Sequence, residues 1–205
     1  MLTSWGHLNL YERKRLLRRQ ILALRNSKPT EELDGLSSKI AGRLLELPEM
    51  KSSRTVSTYL DTGSEVRTKE IVKQLLSESK RVVVPITDKP GKRLVFSELK
   101  DPEKELEPGT FGILEPTSEF RRPVRLDEAD AVLVPGIVWD LRGYRIGYGA
   151  GYYDRSINAL RKPILKIGLS YEFQIVQRVP ISRHDRRVDR IVTEFRVMNT
   201  RATVP

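Results

Sequence analysis

Residues 131–155, AVLVPGIVWDLRGYRIGYGAGYYDR, constrain this chain more than any other segment. An apolar run with β character at 131–135 leads into a stretch with glycine at 143, 147, 149 and 151, and a helix is expected from Tyr152. Four of the chain's 13 glycines fall within these nine positions. Glycine lets backbone N–H groups turn toward a ligand and approach it closely, and a helix N-terminus behind them favours negative charge. Flanked by Arg145 and Asp154, the segment reads as an anion site suited to phosphate. The plainer alternative is a tight strand-to-helix turn that merely needs glycine. The spacing departs from the better-known phosphate motifs. There is no GxxxxGK[ST], and Gly147-x-Gly149-x-Gly151 is not GxGxxG, so neither a P-loop nor a Rossmann dinucleotide site fits.

The surrounding pattern indicates the fold. Residues 9–26 carry Leu10, Leu16, Leu17, Ile21 and Leu24 at near-helical spacing, opposite a face crowded by Arg13, Lys14, Arg15, Arg18 and Arg19. Such a face is usually just solvated, but Lys14 and Arg18 are i,i+4 neighbours able to reach one anion together. A second helix is expected after Pro29, with Thr30 as N-cap, Glu31 and Glu32 in the first turn, and a stripe of Leu33, Leu36, Ile40, Leu44 and Leu47 ended by Pro48. Strands and helices then alternate: strands at 55–60, 81–85, 131–135 and 164–170, helices at 68–76 and 152–160. A short edge strand is expected at 94–96 and a last one at 191–194, while 101–127 reads as an ordered excursion carrying GTFGILEP. This alternation predicts one α/β domain over 1–205, a three-layer α/β/α sandwich around a mostly parallel sheet. Ligands bind beyond the carboxyl ends of such strands, so the glycine stretch, residues 61–65 and residues 85–87 should line one cleft.

Composition narrows the chemistry. Zero cysteines exclude disulfides, thiolate catalysis and cysteine-bound zinc, and with only His7 and His184 a multi-histidine metal site is excluded too. Any metal should have oxygen ligands and resemble Mg²⁺. No apolar run reaches the roughly eighteen residues of a membrane span, and residues 1–15 lack a signal peptide's apolar core, so a cytoplasmic protein is expected. The net charge of +10 points to anionic partners. Nucleic acid is one reading, through the basic clusters at 13–19 and 183–190, although no aromatic-rich RNA-binding motif accompanies them. A nucleoside triphosphate is another, and adaptation to heat would also raise charge content.

Several motifs in order resemble one family. They are Lys14-x-x-Leu17-Arg18, Tyr59 through Glu65-Val66, Gly109-x-Phe111-Gly-Ile-x-Glu115-Pro116, VPGIVWDLRGYRIGYGAGYYDR, and His184-Asp185-x-x-Val188-Asp189-x-Ile191-Val192-Thr193. Over most of its length the chain resembles the 5-formyltetrahydrofolate cyclo-ligases, or 5,10-methenyltetrahydrofolate synthetases, whose fold is a three-layer α/β sandwich. The resemblance implies Mg²⁺- and ATP-dependent cyclisation of 5-formyltetrahydrofolate to 5,10-methenyltetrahydrofolate with release of ADP and phosphate. It also implies a small-molecule partner rather than nucleic acid or membrane, and a monomer or weak homo-oligomer. Carried over by motif, Lys14 and Arg18 contact ATP, together with the loop Arg145, Ile146, Gly147, Tyr148, Gly149, Ala150, Gly151, Tyr152 and Tyr153. Arg145, with Lys14, is the catalytic cation; its alternative is a surface arginine paired with Asp140 or Asp154. Asp154 and Asp185 hold Mg²⁺, with Asp189 in place of Asp185 as the variant assignment. Their alternatives are helix capping for Asp154 and pairing with Arg183 or Arg186 for Asp185. The folate positions are Leu60, Glu65 and Phe111, with Tyr148, Gly149, Ala150, Gly151 and Tyr152 beside both ligands; Trp139 reads as packing and Phe111 doubles as a core candidate. Ala150 departs from the lysine or glycine frequent in the family. A nucleic-acid module with a relict nucleotide pocket and a ligase for a related pterin remain the competing readings.

Overall fold

Alternation along the central strands decides the architecture. Val82 and Val84 join one apolar cluster while Val83 joins another, and Ala131 and Leu133 are separated from Val132 and Val134 in the same way. A strand places successive side chains on opposite faces, so both faces of this sheet must be covered. The computed structural model describes residues 7–200; part of the N-terminal segment read above for a signal peptide lies outside them. The helices are α1 (Leu10–Asn26), α2 (Thr30–Leu45), α3 (Pro48–Ser52), α4 (Lys69–Ser77) and α5 (Tyr152–Asn158). The first strands are β1 (Thr55–Ser57), β2 (Arg81–Asp88), β3 (Arg93–Leu99), β4 (Leu106–Pro108), β5 (Leu114–Pro116), β6 (Pro123–Val124) and β7 (Ala131–Val134). After them come β8 (Val138–Asp140), β9 (Arg145–Ile146), β10 (Leu165–Leu169), β11 (Ile175–Val176), β12 (Arg190–Val192) and β13 (Val197–Asn199).

The main sheet runs β13-β12-β10-β7-β1-β2-β3-β6. Its five inner strands, β12 to β2, are mutually parallel; β13 is an antiparallel edge on one side, and on the other β3 continues antiparallel and is itself flanked by β6, so the segment expected as a short edge strand at 94–96 is neither short nor an edge. One face is covered by α2, α3 and α4, which contribute Leu33, Ile40, Leu44, Met50, Ile71, Val72 and Leu75. The other is covered by α5 through Ile157 and by a small sheet, β11-β8-β9, through Trp139. Helix α1 lies outside that small sheet, its Leu17, Ile21 and Leu22 packing on Ile137, Val138, Ile146 and Val179.

Several expectations are corrected. Leu10 and Leu24 are exposed, and Leu22 takes their place in the packing face of α1. Thr30 is the first helical residue rather than the N-cap; Pro29 holds that position with its backbone already extended and no side-chain cap bond. Pro48 opens α3, where a missing N–H costs nothing, instead of simply ending the preceding helix. The strand expected at 55–60 leaves the ladder after Ser57, and the strand at 190–192 is followed by β13. The β8–β9 hairpin within the glycine-bearing segment is also new to the structure.

Trp139 is wholly buried between two glycines. A Cβ on Gly168 would meet its ring at 2.4 Å and one on Gly136 at 2.5 Å, so only glycine allows the indole to lie on β10. Gly168→Ala should therefore destabilise the protein by roughly 2–3 kcal/mol, and pairing it with Trp139→Phe should recover part of that loss. Urea denaturation of the two single variants and the double variant gives the test; strictly additive losses would separate the two positions.

Candidate active site

One stripe of α1 supplies three cations to one end of the sheet. At about 100° per residue, positions 14, 18 and 25 fall within roughly 40° of one another. The helix is fixed at its start by an Asn9–Glu12 capping box. Along the stripe, Lys14 Nζ meets Asp185 Oδ2 at 2.5 Å, and Arg18 Nε donates to the Gly147 carbonyl at 2.7 Å. Arg25 Nε donates to Ser64 Oγ and its Nη2 to the Tyr148 hydroxyl, each at 2.9 Å. Arg15 and Arg19 point away, exposed. Arg25 was missed in the sequence, although its register with Lys14 and Arg18 was visible there.

The loop that this stripe meets joins β9 to α5. Tyr148, Gly149 and Ala150 are exposed, and Gly149 and Gly151 take φ of +111° and +69°, a region that L side chains rarely adopt. A side chain at Gly149 would reach the Arg18 guanidinium at 3.4 Å. Ile146 is a core residue of the small sheet, and Tyr153 packs against both apolar clusters. Tyr152 carries the Arg155 guanidinium over its ring at 5.2 Å.

Arg145 is not a surface arginine. It is 8 % exposed on β9, and its Nη1 and Nη2 reach the two oxygens of Asp154 at 3.0 and 3.4 Å. Nε donates to the Pro135 carbonyl at 3.2 Å, while Asp154 also accepts the Arg186 N–H at 3.1 Å. Asp140 pairs instead with Arg142. Asp154 makes no cap bond to α5, and Asp185 pairs with neither Arg183 nor Arg186. Burial pushes the Asp185 carboxyl up, but Lys14 and the Ser182 N–H outweigh it and hold the group below the usual carboxylate range. Asp189 stands at the start of β12, paired with Lys166 at 2.8 Å, at the amino end of the parallel strands rather than beside the loop.

The third wall follows β1. Glu65 is buried, and Oε2 accepts the Thr62 N–H at 3.1 Å. Burial raises its pKa; the Thr62 N–H, Arg25 and the Tyr148 hydroxyl oppose that, and Asp61 adds to it. Tyr153 is raised likewise, by burial and then by the Glu65 charge. Leu60 is buried in the first core cluster. Phe111 is carried separately, on the loop between β4 and β5. It is 71 % exposed, has φ of +60°, and lies 5.2 Å from Lys89 Nζ, so it is no core residue. The sheet ends thus bring together residues 61–65, the glycine loop and the α1 stripe. Residues 85–87 lie within β2 rather than beyond its end, and there the Thr87 N–H donates to Glu115 of β5 at 3.0 Å.

Among the described residues no three acidic or histidine side chains converge, so there is no all-protein metal cage. Asp185 and Asp154 offer carboxylate oxygens, Asp185 Oδ2 accepting from Lys14 Nζ and the Ser182 N–H and Asp154 from Arg145. That donor set fits a hard cation that keeps most of its oxygens from water and phosphate. No helix among the described residues is long and apolar enough to cross a membrane.

Comparison with known proteins decides the family. Residues 11–194 match the 5-formyltetrahydrofolate cyclo-ligase family. The chain belongs to that family. It is 30 % identical to the 5-formyltetrahydrofolate cyclo-ligase of Saccharomyces cerevisiae, over 87 % of this chain and 94 % of that one. The Mycolicibacterium smegmatis cyclo-ligase is also 30 % identical, over 89 % and 94 %. The structure of the Aquifex aeolicus 5,10-methenyltetrahydrofolate synthetase superposes with a TM-score of 0.82 at 34 % identity, covering 94 % of this chain and 95 % of that one.

Because its carboxyl is held low, Asp185 contributes stability above the unfolded value near 3.9, and that contribution is lost as the pH falls through its folded value. Asp185→Asn should cost about 1 kcal/mol at neutral pH, and the gap to wild type should close in acid. Denaturation curves across pH 7 to 3 test this; a gap independent of pH would remove the charge pair from the account.

Proposed function

We propose that this chain closes 5-formyltetrahydrofolate to 5,10-methenyltetrahydrofolate at the expense of ATP. The observation that carries the reading is the meeting at Tyr148 of an open glycine loop, edged by Arg18, with the buried Glu65 carboxylate. Gly147 supports it. A Cβ there would meet nothing, and its φ is not left-handed, so packing within the chain does not call for glycine at that point. Close approach of a ligand does.

In this reading the triphosphate lies along Gly147 to Gly151, with Lys14, Arg18 and Arg145 as its cations. The pteridine presents its amino and ring N–H groups to Glu65, flanked by Leu60 and Tyr148, with Phe111 as an aromatic partner. An N-formyl amide is a poor electrophile; transferring the γ-phosphoryl to its oxygen makes that oxygen a leaving group. N10 then attacks the activated carbon, phosphate departs and the ring closes. Such a transfer depends on positioning and charge neutralisation, which needs no nucleophilic side chain.

The two ion pairs suit this task. Each joins a phosphate-directed cation to a metal-directed carboxylate, Lys14 to Asp185 and Arg145 to Asp154. Exchanging both pairs for nucleotide and cation contacts leaves the charge of the site balanced. Asp185 and Asp154 would hold Mg²⁺, which supplies charge neutralisation at the phosphates. The prominent positive charge of α1 is then absorbed by the nucleotide.

Purified protein with Mg-ATP and 5-formyltetrahydrofolate should form the methenyl chromophore with one ADP released per turnover. Arg145→Ala and Asp154→Asn should lower kcat by roughly 10²–10³-fold. ATP binding without any chromophore, and ADP release indifferent to the folate, would overturn the assignment.

A further inference from the structure

Arg25 is 2 % exposed, the one fully buried residue of α1, yet it is a full cation. An apolar side chain of similar volume would pack there without the cost of desolvating a guanidinium. Its partners belong to the two walls of the site: Ser64, next to Glu65, and the hydroxyl of Tyr148, in the glycine loop. Ser64 is held in turn by Asn26 at 2.5 Å, at the end of α1. The ring of Tyr148 is largely exposed, 56 % for the residue, while its hydroxyl accepts from Arg25 and acts on the Glu65 carboxylate.

We infer that Arg25 is a positioning residue, which bears on the Glu65 carboxylate directly and through the hydrogen-bonded Tyr148 and, through Ser64, ties its loop to the phosphate loop, so that nucleotide and folate binding are coupled. The inference rests on the reading of Glu65 and residues 147–151 as folate and nucleotide sites. Glu65 is faced from every side by groups that bear on its charge. Arg25 comes from α1, Tyr148 from the glycine loop, the Thr62 N–H and Asp61 from its own loop, Tyr59 from beyond β1, and Tyr153 from α5. Burial is the largest influence and favours the neutral acid; Arg25 is a side-chain cation that opposes it. A protonated Glu65 would offer a donor where the pteridine presents donors, so binding requires the carboxylate.

Arg25→Met removes the charge and keeps the length. Losing a cation favours the protonated acid, so the midpoint of Glu65, followed by ¹³C-carboxyl NMR in the ligand-free protein, should rise by about one pH unit. Tyr148→Phe should raise it less, and Arg25→Lys should stay near wild type. In turnover, Arg25→Met should raise KM for 5-formyltetrahydrofolate roughly ten- to a hundredfold with a much smaller change in kcat, and move the acid limb of kcat/KM to higher pH. Calorimetric ATP affinity should depend on 5-formyltetrahydrofolate in wild type and lose that dependence in the variant. A folded Arg25→Met protein with a wild-type Glu65 midpoint, or with the ATP–folate dependence intact, overturns the inference. If that variant does not fold, Tyr148→Phe decides, and an unmoved midpoint overturns it. The titration needs no turnover, so a wild type that forms no methenyl product would sink the proposed reaction while leaving the control of Glu65 by Arg25 standing.

Discussion

The site hangs on the seat of Trp139. Its indole lies flat enough on β10 that residue 168 has to be glycine, and it joins the small sheet to the large one. Everything directed at the site from the N-terminal side depends on that joint. The glycine loop leaves from β9 of the small sheet, and α1 packs on the outer face of the same sheet. Tight packing makes this seat rigid, since interiors are dense and a methyl group is enough to disturb them. One oddity accompanies it: among the described residues the indole Nε1–H finds no hydrogen-bond partner. An unmade bond of this kind is a cost that the fit of the ring must exceed.

With that joint in place, α1 becomes a rod of cations laid across two loops. Lys14 and Arg18 address Asp185 and the glycine loop, and Arg25, two turns further on, addresses Tyr148 and the loop of Glu65. A helix suits this role because its spacing is fixed by its own hydrogen bonds. Three charges separated by whole turns share a face and keep their distances as ligands come and go. The glycine loop is exposed from Tyr148 to Ala150, as binding loops on a rigid frame generally are, while the loop of Glu65 is largely covered.

Charge balance is the other organising theme. A basic chain has many cations to satisfy, and two of those at this site, Lys14 and Arg145, are satisfied by the carboxylates Asp185 and Asp154. Opposed pairs of this kind hold the site together and place both signs of charge side by side within it.

Much of this was legible in the residues. Alternation of apolar positions located the central strands, and helical spacing located α1, α2 and α4, because burial on one or two faces imposes those periods directly. The clustered glycines marked the loop before α5, and the i,i+4 spacing singled out Lys14 and Arg18. Strands of two or three residues, such as β8, β9, β11 and β13, have too little length to show a period. Which carboxylate each cation meets was not legible either: Lys14 and Asp185 lie 171 positions apart, and Asp185 and Asp189 look alike until the sheet separates the two. Local chemistry therefore determined which segments form strands, helices and a glycine-rich turn, since each depends on neighbours in the chain. Tertiary packing alone decided that Arg145 is buried against Asp154 and that Arg25 reaches Ser64 and Tyr148, because those contacts exist only once distant elements share a face of the same sheet.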